Sequence, residues 1–451
     1  MVDQRKNQLA PPLLPKGYID RIARPFSSFL KIESAGGGLL LLFTLVALAL
    51  SNSPWAPRFE GIWETSVGIH IGSLESSRTI RGWINDALMT LFFFLVALEL
   101  KRELVLGELR KPRVAALPII AALGGMAVPP FIYLALQAGQ PGQHGWGTVM
   151  ATDTAFVIGC LALLGPRVPQ SLRLFMLSLA IIDDIGAILV VAIAYSDNIN
   201  WLWLLLAVFG LLLVRAMAML GLRGLSHYFL LGALIWLAVD ASGIHPTITG
   251  VILGLMTPAR RWVSDERLYA ILGQVVSHPA NSESSKGTQG RETLQVAAVA
   301  ARESLSPVER LEIALHPWVG FFIMPLFALT NAGFPFAFSD FGNPVTVAVF
   351  SGFVFGKPIG ILLFSWLAVR LYIASRPPEL TWELIAGGSL LAGIGFTMSL
   401  FIAGLAFGEN LINSAKLGIF LASVFSAVTG ISLLFWLHGR SNSPTFNNVN
   451  H

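Results

Sequence analysis

The chain has 451 residues, of which 54% are hydrophobic and only 12% are charged, and its mean hydropathy is +0.68. Soluble domains carry about 25% charged residues, so the composition excludes an ordinary globular protein and indicates a polytopic protein of the lipid bilayer. The net charge of +4 does not indicate a nucleic-acid partner, because the basic residues are spread through loops between apolar stretches.

Long apolar stretches predict an all-α membrane protein with about twelve transmembrane helices. We place these spans at residues 32–51, 84–104, 114–136, 147–164, 172–195, 201–219, 226–240, 244–257, 314–334, 345–369, 383–407 and 414–437. When the spans alternate in direction, nearly all lysines and arginines fall on one side, which predicts that both termini are cytoplasmic. The predicted segments are a cytoplasmic N-terminal segment (1–31), spans one to eight (32–257), a cytoplasmic insertion (258–311), spans nine to twelve (314–437) and a cytoplasmic tail (438–451).

A short segment near residues 65–80, between the first two spans, predicts a small extracytoplasmic β-hairpin. Val67, Ile69 and Ile71 alternate with other residues before a Gly72-Ser73 turn, which is typical of a strand that ends in a hairpin. Two roles remain open for it. It is either a plain connection or a dimer contact made through an exposed strand edge.

The insertion at 258–311 is the longest interruption between apolar spans. Residues 278–292 have a flexible-looking composition, and residues 292–305 look helical. We weigh a solvated cytoplasmic insertion against a regulatory domain for this segment.

Two adjacent acids, Asp183 and Asp184, lie at the middle of span five. A carboxylate at that depth costs roughly 2.5–3.5 kcal/mol by insertion scales, so acids inside spans are rare and usually line a path for ions or protons. The alternative is an acid that is buried for packing and neutralised by a partner. The pair favours a protein that moves ions.

Two more deeply placed charges are Asp153 in span four and Lys357 in span ten, and helices are expected to break in spans four and eleven. Asp153 lies between two threonines, and span eleven is rich in glycine around Gly393 and Gly395. Broken helices at membrane depth line cavities, and they tend to occupy matching positions of two inverted repeats. The matching triplets here would be spans three to five and ten to twelve, with breaks in spans four and eleven.

The cost of isolated charges predicts that Lys357 finds a carboxylate partner. Successive helix residues point about 100° apart, so Asp183 and Asp184 cannot both face one spot. We expect one of them to contact Lys357 and the other to face an aqueous funnel. Such carboxylates suit a small hard cation, with Thr152 or Asp153 as further oxygen donors, and a proton would compete for the same groups.

Other polar residues can be interpreted either as structural or as part of a pH response. Glu99, Arg102 and Glu103 lie at the cytoplasmic end of span two, where charged side chains at a helix end are the default and a pH-sensing cluster is the alternative. His245 can titrate near neutrality, but beside a proline it is more often a residue at a helix start. Glu312 is ambiguous by itself.

Six motifs in this order resemble the NhaA-type sodium/proton antiporters of bacterial inner membranes: WINDAL, LELKREL, ATDTAF, LAIIDDIGA, FGKPIG and GIGFTMSLFI. The resemblance runs from about Ala35 to Leu437 and omits the insertion. NhaA is itself a standard example of inverted repeats with broken helices, so the resemblance implies that architecture independently of the pattern above.

The resemblance implies a secondary active antiporter that expels Na⁺, and also Li⁺, in exchange for external H⁺, with no cofactor. It places the protein in a bacterial inner membrane. A homodimer through the 65–80 hairpin stays a hypothesis that rests on the exposed strand edge. The implied roles are cation and proton binding by Asp183 and Asp184, support of the broken-helix crossing by Thr152 and Asp153, charge compensation or pairing with Asp183 by Lys357, and a pH response shaped by Glu99, Arg102, Glu103, His245 and Glu312.

The sequence departs from the family pattern at the insertion, at Glu309, where a lysine is common, and at Ile313, where a histidine occurs. These departures concern the pH set point rather than the ion site. Two functions are alternatives to an antiporter: an intramembrane aspartyl protease and a sodium-coupled solute symporter. The protease needs single aspartates on separate helices, typically in a Gly-x-Gly-Asp motif, and Asp183 follows two isoleucines. The symporter needs a further substrate pocket, which the sequence does not indicate.

Overall fold

A computed structural model describes residues 33–71, 74–107, 110, 112–196, 199–221, 224–277 and 288–441. The predicted N-terminal segment 1–31, the Gly72-Ser73 turn and the end of the predicted tail lie outside these residues. Within them the chain forms sixteen α-helices, if three helices that contain a π-helical segment are each counted once, and one two-stranded antiparallel sheet.

The first elements in chain order are α1 (Glu33–Ser51), α2 (Ala56–Trp63), β1 (Ser66–Ile71), β2 (Leu74–Thr79), α3 (Ile80–Val105), α4 (Pro112–Leu136), α5 (Thr154–Leu164), α6 (Gln170–Ala194), α7 (Trp201–Met219), α8 (Leu225–Ala241) and α9 (Ile248–Met256). The others are α10 (Asp265–Ser277), α11 (Thr288–Glu303), α12 (Pro307–Asn331), α13 (Pro344–Arg370), α14 (Trp382–Ala392), α15 (Phe396–Ala406) and α16 (Glu409–Ser441).

The predicted all-α membrane architecture is confirmed. Eight helices in the described part of the chain are long and apolar enough to cross a bilayer, or up to ten if each of two bent helix pairs is one span. A helix lies at every predicted span. The two spans outside that count, seven and eight, correspond to α8 and α9, which are shorter than a full crossing.

The predicted hairpin is also confirmed. Strands β1 and β2 pair antiparallel, with Ser66 opposite Thr79 and Ile71 opposite Leu74. The indole N–H of Trp83, at the start of α3, donates to the Val67 carbonyl oxygen at 2.9 Å. The hairpin is therefore fixed to the helix that follows it.

The two predicted triplets of spans pack in matching ways. Helix α4 packs against α6, as α13 packs against α16, and α4 and α13 pack closely against each other. Glycine permits that last contact, because a Cβ atom on Gly360 would lie 2.2 Å from the Gly124 carbonyl oxygen. The structure thus places spans three and ten side by side, and each packs against the last helix of its own triplet.

The insertion forms two helices, α10 and α11, which pack against each other. The helix expected in the second part of the insertion is present, but α11 begins at Thr288, inside the stretch expected to be flexible. Residues 278–287 lie outside the described part. The insertion is tied to α12, because Arg310 donates to Glu303 at 2.8 Å and Arg261 to Glu309 at 3.3 Å.

Candidate ion-binding site

Helix α6 carries the two central acids. Its sequence between Gln170 and Ala194 has no proline and no charged residue near Asp183 and Asp184, so an uninterrupted apolar helix forms around them. Asp183 is fully buried and Asp184 is 1% exposed. Because carboxylates are costly away from water, the contacts of these two side chains decide what the site can do.

Both predicted helix breaks are present. In span four a 3₁₀-helix, Gln143–Val149, ends before α5, and Asp153 caps α5 by accepting a hydrogen bond from the Phe156 amide at 3.2 Å. In span eleven, α14 and α15 are bent by 46° around the Gly393–Gly395 stretch. An aspartate at an N-cap satisfies a helix-start amide that would otherwise have no partner.

The two breaks cross and satisfy each other's backbone groups. The Asp153 amide donates to the Ile394 carbonyl oxygen at 2.6 Å, and the Thr397 amide donates to Asp153 Oδ2 at 2.9 Å. The Thr397 hydroxyl donates to the same carboxylate oxygen. Amide and carbonyl groups freed by the breaks therefore have protein partners at membrane depth, where no bulk water is present to replace them.

Asp183 contacts Lys357, as the cost of isolated charges predicted. Lys357 Nζ lies 2.5 Å from Asp183 Oδ2, and neither side chain is exposed. Lys357 is the first residue of helical geometry after a π-helical segment, Gly352–Gly356, in α13. The Thr152 hydroxyl lies 2.8 Å from the same oxygen and 3.0 Å from the Ala392 carbonyl oxygen, so its single proton is shared between them.

Asp184 faces a different partner from Asp183, as the 100° step along a helix requires. The Thr154 hydroxyl donates to Asp184 Oδ2 at 2.9 Å. The expectation that the second acid faces an aqueous funnel is wrong for this conformation, because Asp184 is buried by the broken helix of span four.

Each of the two acids keeps one oxygen without a hydrogen-bond partner among the described residues. These atoms are Asp183 Oδ1 and Asp184 Oδ1, and both are buried. Buried polar atoms are nearly always satisfied by protein, water or an ion. The arrangement offers two hard oxygen ligands for a small cation or a proton, next to a fixed positive charge on Lys357.

The residues proposed to shape a pH response divide into two places. Arg102 donates to Glu312 Oε1 at 2.5 Å and to Glu103 Oε1 at 3.1 Å, and Glu99 lies within electrostatic range of all three. His245 is not part of this cluster. It contacts Asp86, near the other end of α3, almost four helical turns or about 20 Å from Glu99.

Around Asp86 lies a second charged cluster that the sequence did not single out. Arg78 of β2 pairs with Asp86 in α3 and with Asp240 in α8, and it stacks over Trp236 at 5.6 Å. His245 Nε2 lies 3.7 Å from Asp86 Oδ1. Asp86 lies in the π-helical segment Ile84–Leu88, so this cluster joins the hairpin to a distorted part of α3.

The sequence prediction also missed two hydroxyl groups of the ion site. Thr154 contacts Asp184, and Thr397 contacts Asp153. The only available signals were the position of Thr154 beside Asp153 and of Thr397 beside the glycines of span eleven. Of the two single-residue departures from the family pattern, Glu309 forms a capping box with Ser306 at the start of α12, and Ile313 is exposed.

A family model described as "Na+/H+ antiporter 1" matches residues 27–434, which is most of the chain. The chain belongs to the Na+/H+ antiporter 1 family. It is 60% identical over 433 residues to "Na(+)/H(+) antiporter NhaA 3" of Acidiphilium cryptum (strain JF-5), covering 96% of this chain and 95% of that protein.

Relatives from other genera are also named Na(+)/H(+) antiporters. The chain is 59% identical over 421 residues to "Na(+)/H(+) antiporter NhaA" of Rhizobium meliloti (strain 1021), covering 93% of this chain and 96% of that protein. It is 57% identical over 427 residues to "Na(+)/H(+) antiporter NhaA 2" of Vibrio vulnificus (strain CMCP6), covering 95% and 96%. The family and the apolar helices make this a multi-pass membrane transporter.

Proposed function

We propose that this chain expels Na⁺, and also Li⁺, in exchange for external protons, and that Asp183 and Asp184 carry both ions. The observation behind this proposal is the pair of buried carboxylates that each keep a free oxygen, one of them held by Lys357. A cation takes its oxygen ligands from ionised carboxylates, and we take both acids to be charged when it binds. A proton on either group removes a ligand, so binding of one ion excludes the other.

The positive charge of Lys357 decides the net charge of the site when Na⁺ or protons are bound. With both acids ionised and Na⁺ bound, Lys357 leaves the loaded site close to neutral in a region where net charge is costly. On the return step protons replace Na⁺. With Lys357 charged throughout, Asp183 and Asp184 carry the protons, so more than one H⁺ enters for each Na⁺ expelled.

Exchange of unequal charge makes transport electrogenic. A negative interior then contributes roughly 2.3 kcal/mol per net charge per 100 mV in favour of Na⁺ export. The cluster of Glu99, Arg102, Glu103 and Glu312 is the proposed location of pH regulation, with His245 acting separately through Asp86. Three carboxylates surround one guanidinium there and join α3 to α12, so a change in their contacts reaches both helices.

The setting proposed for this activity is a bacterial inner membrane with both termini in the cytoplasm, as the distribution of lysine and arginine predicts. The hairpin supports a homodimer. Among the described residues the sheet consists of β1 and β2, and the edge of such a sheet is a place where a strand of a second copy can pair.

The test is counterflow in proteoliposomes that contain the purified chain and no organic solute. An outward Na⁺ gradient should move protons inward, and Asp184→Asn should abolish this movement while the protein stays folded. Asp265→Asn is the matched control, because Asp265 is an exposed carboxylate on the insertion helix α10. Wild-type vesicles that show no Na⁺-dependent proton movement at any pH would contradict the proposal, as would an Asp184→Asn variant of normal rate and affinity.

Electrogenicity needs a separate measurement. The potential is clamped with a potassium ionophore and then stepped while Na⁺ efflux is followed. Efflux that does not respond to the potential, together with no current across a supported membrane, would mean one-for-one exchange.

A further inference from the structure

Thr154 occupies a position in the ion site that corresponds to that of Thr152. Thr152 and Thr154 flank Asp153, and their hydroxyl groups contact the two neighbouring acids, Asp183 and Asp184. Asp153 itself contacts the opposite break through Thr397. One three-residue stretch therefore supplies each central acid with a hydroxyl group.

The two threonines differ in the number of hydrogen-bond acceptors that lie next to their hydroxyl groups. The Thr152 hydroxyl also lies 3.0 Å from the Ala392 carbonyl oxygen, and its Asp183 partner oxygen already contacts Lys357. The hydrogen bond that the structure gives the Thr154 hydroxyl is to Asp184. Thr154 is also partly exposed, whereas Thr152 and Asp184 are buried. Thr154 thus lies at the rim of the site with a hydroxyl group that is free to change its role.

A threonine hydroxyl carries one proton and two lone pairs, so it can donate to a carboxylate or offer its oxygen to a cation. Na⁺ is similar in size to Ca²⁺, which takes oxygen ligands at about 2.3–2.6 Å. Thr154 Oγ1 and Asp184 Oδ2 are 2.9 Å apart, so both can contact one such ion at the same time. The same hydroxyl can close the hydrogen bond again when the ion leaves.

We propose that Thr154 is an oxygen ligand of the transported cation, acting together with Asp184 and helping to set the preference between Na⁺ and Li⁺. This inference rests on the proposed antiport function and extends its site by one residue. Loss of the hydroxyl group removes one ligand. The smaller Li⁺ needs fewer oxygens than Na⁺, so the loss weakens Na⁺ binding more than Li⁺ binding.

The experiment measures the apparent KM and maximal rate for Na⁺ and for Li⁺ in proteoliposomes at several pH values. Thr154→Val keeps the side-chain shape and should raise the KM for Na⁺ about tenfold, or about 1.4 kcal/mol, with a smaller rise for Li⁺. Thr154→Ser keeps the hydroxyl group and should restore both values. Thr148→Val is the matched control: this buried threonine of the same span has a hydroxyl group without a hydrogen-bond partner among the described residues, and its loss should leave both constants unchanged.

Melting temperatures of all variants establish that each is folded, and Thr154→Ala, which only removes atoms, replaces the valine variant if that one fails to insert. A wild-type KM for Na⁺ in the folded variant without the hydroxyl group would overturn the inference. Equal loss of Na⁺ and Li⁺ affinity would also overturn it, because a threonine that only positions Asp184 has that effect. A wild-type protein that exchanges neither cation would instead contradict the proposed function.

Discussion

The pair formed by Lys357 and Asp183 gives the sharpest test of how charge is balanced in this protein. The two side chains contact each other at 2.5 Å, and neither is exposed. Lys357→Gln leaves a carboxylate without its cation, and Asp183→Asn leaves an ammonium group without its anion. The double variant Asp183→Asn with Lys357→Gln leaves no charge at this place.

Removal of one partner from a buried ion pair costs about 3–5 kcal/mol, because the remaining charge has lost both water and its partner. Each single variant should therefore lose about that much of the free energy of unfolding. The double variant should be more stable than either single variant, because two neutral amides avoid the cost of an unpaired buried charge. The two substitutions are thus strongly non-additive, as expected for groups in direct contact.

Tryptophan fluorescence during heating in detergent, at one fixed pH, measures this order of stability. The expected result is a Tm several degrees below wild type for each single variant and a partial return for the double variant. Lys101→Gln is a suitable control, since the Lys101 ammonium group has a backbone oxygen, that of Leu255, as its hydrogen-bond partner. Single variants that melt like wild type, or a double variant that is the least stable of the three, would refute the reasoning.

Three further outcomes follow from the described contacts. Asp153→Asn should raise the apparent KM for Na⁺ without abolishing exchange, because an amide oxygen can still accept from Thr397; complete loss in vesicle assays would contradict this. Arg102→Gln should shift the pH profile of exchange and leave the maximal rate nearly unchanged, since the contacts described for Arg102 are to Glu312 and Glu103 and not to ion-site residues; an unaltered profile would exclude this cluster. Gly360→Ala should lower the Tm strongly, because the Cβ atom of the alanine would collide with the Gly124 carbonyl oxygen. Normal melting would show that α4 and α13 can move apart at little cost in free energy.

The parts of the fold and of the site that the sequence predicted are those that carry a large energetic penalty. Asp183 and Lys357 were singled out because a charge at membrane depth needs a partner, and the structure places them in contact. The helix break near Gly393 was predicted from glycine content next to an apolar run, and α14 and α15 are bent there. A large energetic cost at one residue leaves few structures that can satisfy that residue.

The features that the sequence missed depend on three-dimensional placement. Hydroxyl groups such as those of Thr154 and Thr397 cost little inside a membrane helix, so only their positions beside Asp153 and beside the glycines of span eleven set them apart from other threonines. Their partners follow only from where the two breaks cross. The family resemblance grouped His245 with Glu99, yet His245 contacts Asp86, near the other end of α3. The π-helical segments likewise left no visible pattern in the sequence.

The insertion returns to the place where it leaves the rest of the chain. The Val263 amide, before α10, donates to the carbonyl oxygen of Glu303, the last residue of α11, at 3.3 Å. The two ends of residues 264–302 are therefore as close as neighbouring strands, and a short linker or a foreign domain with adjacent termini can join them. For protein engineering, this segment is a suitable insertion site. A fluorescent reporter or a crystallisation partner can replace α10 and α11 there without changing the distance between α9 and α12.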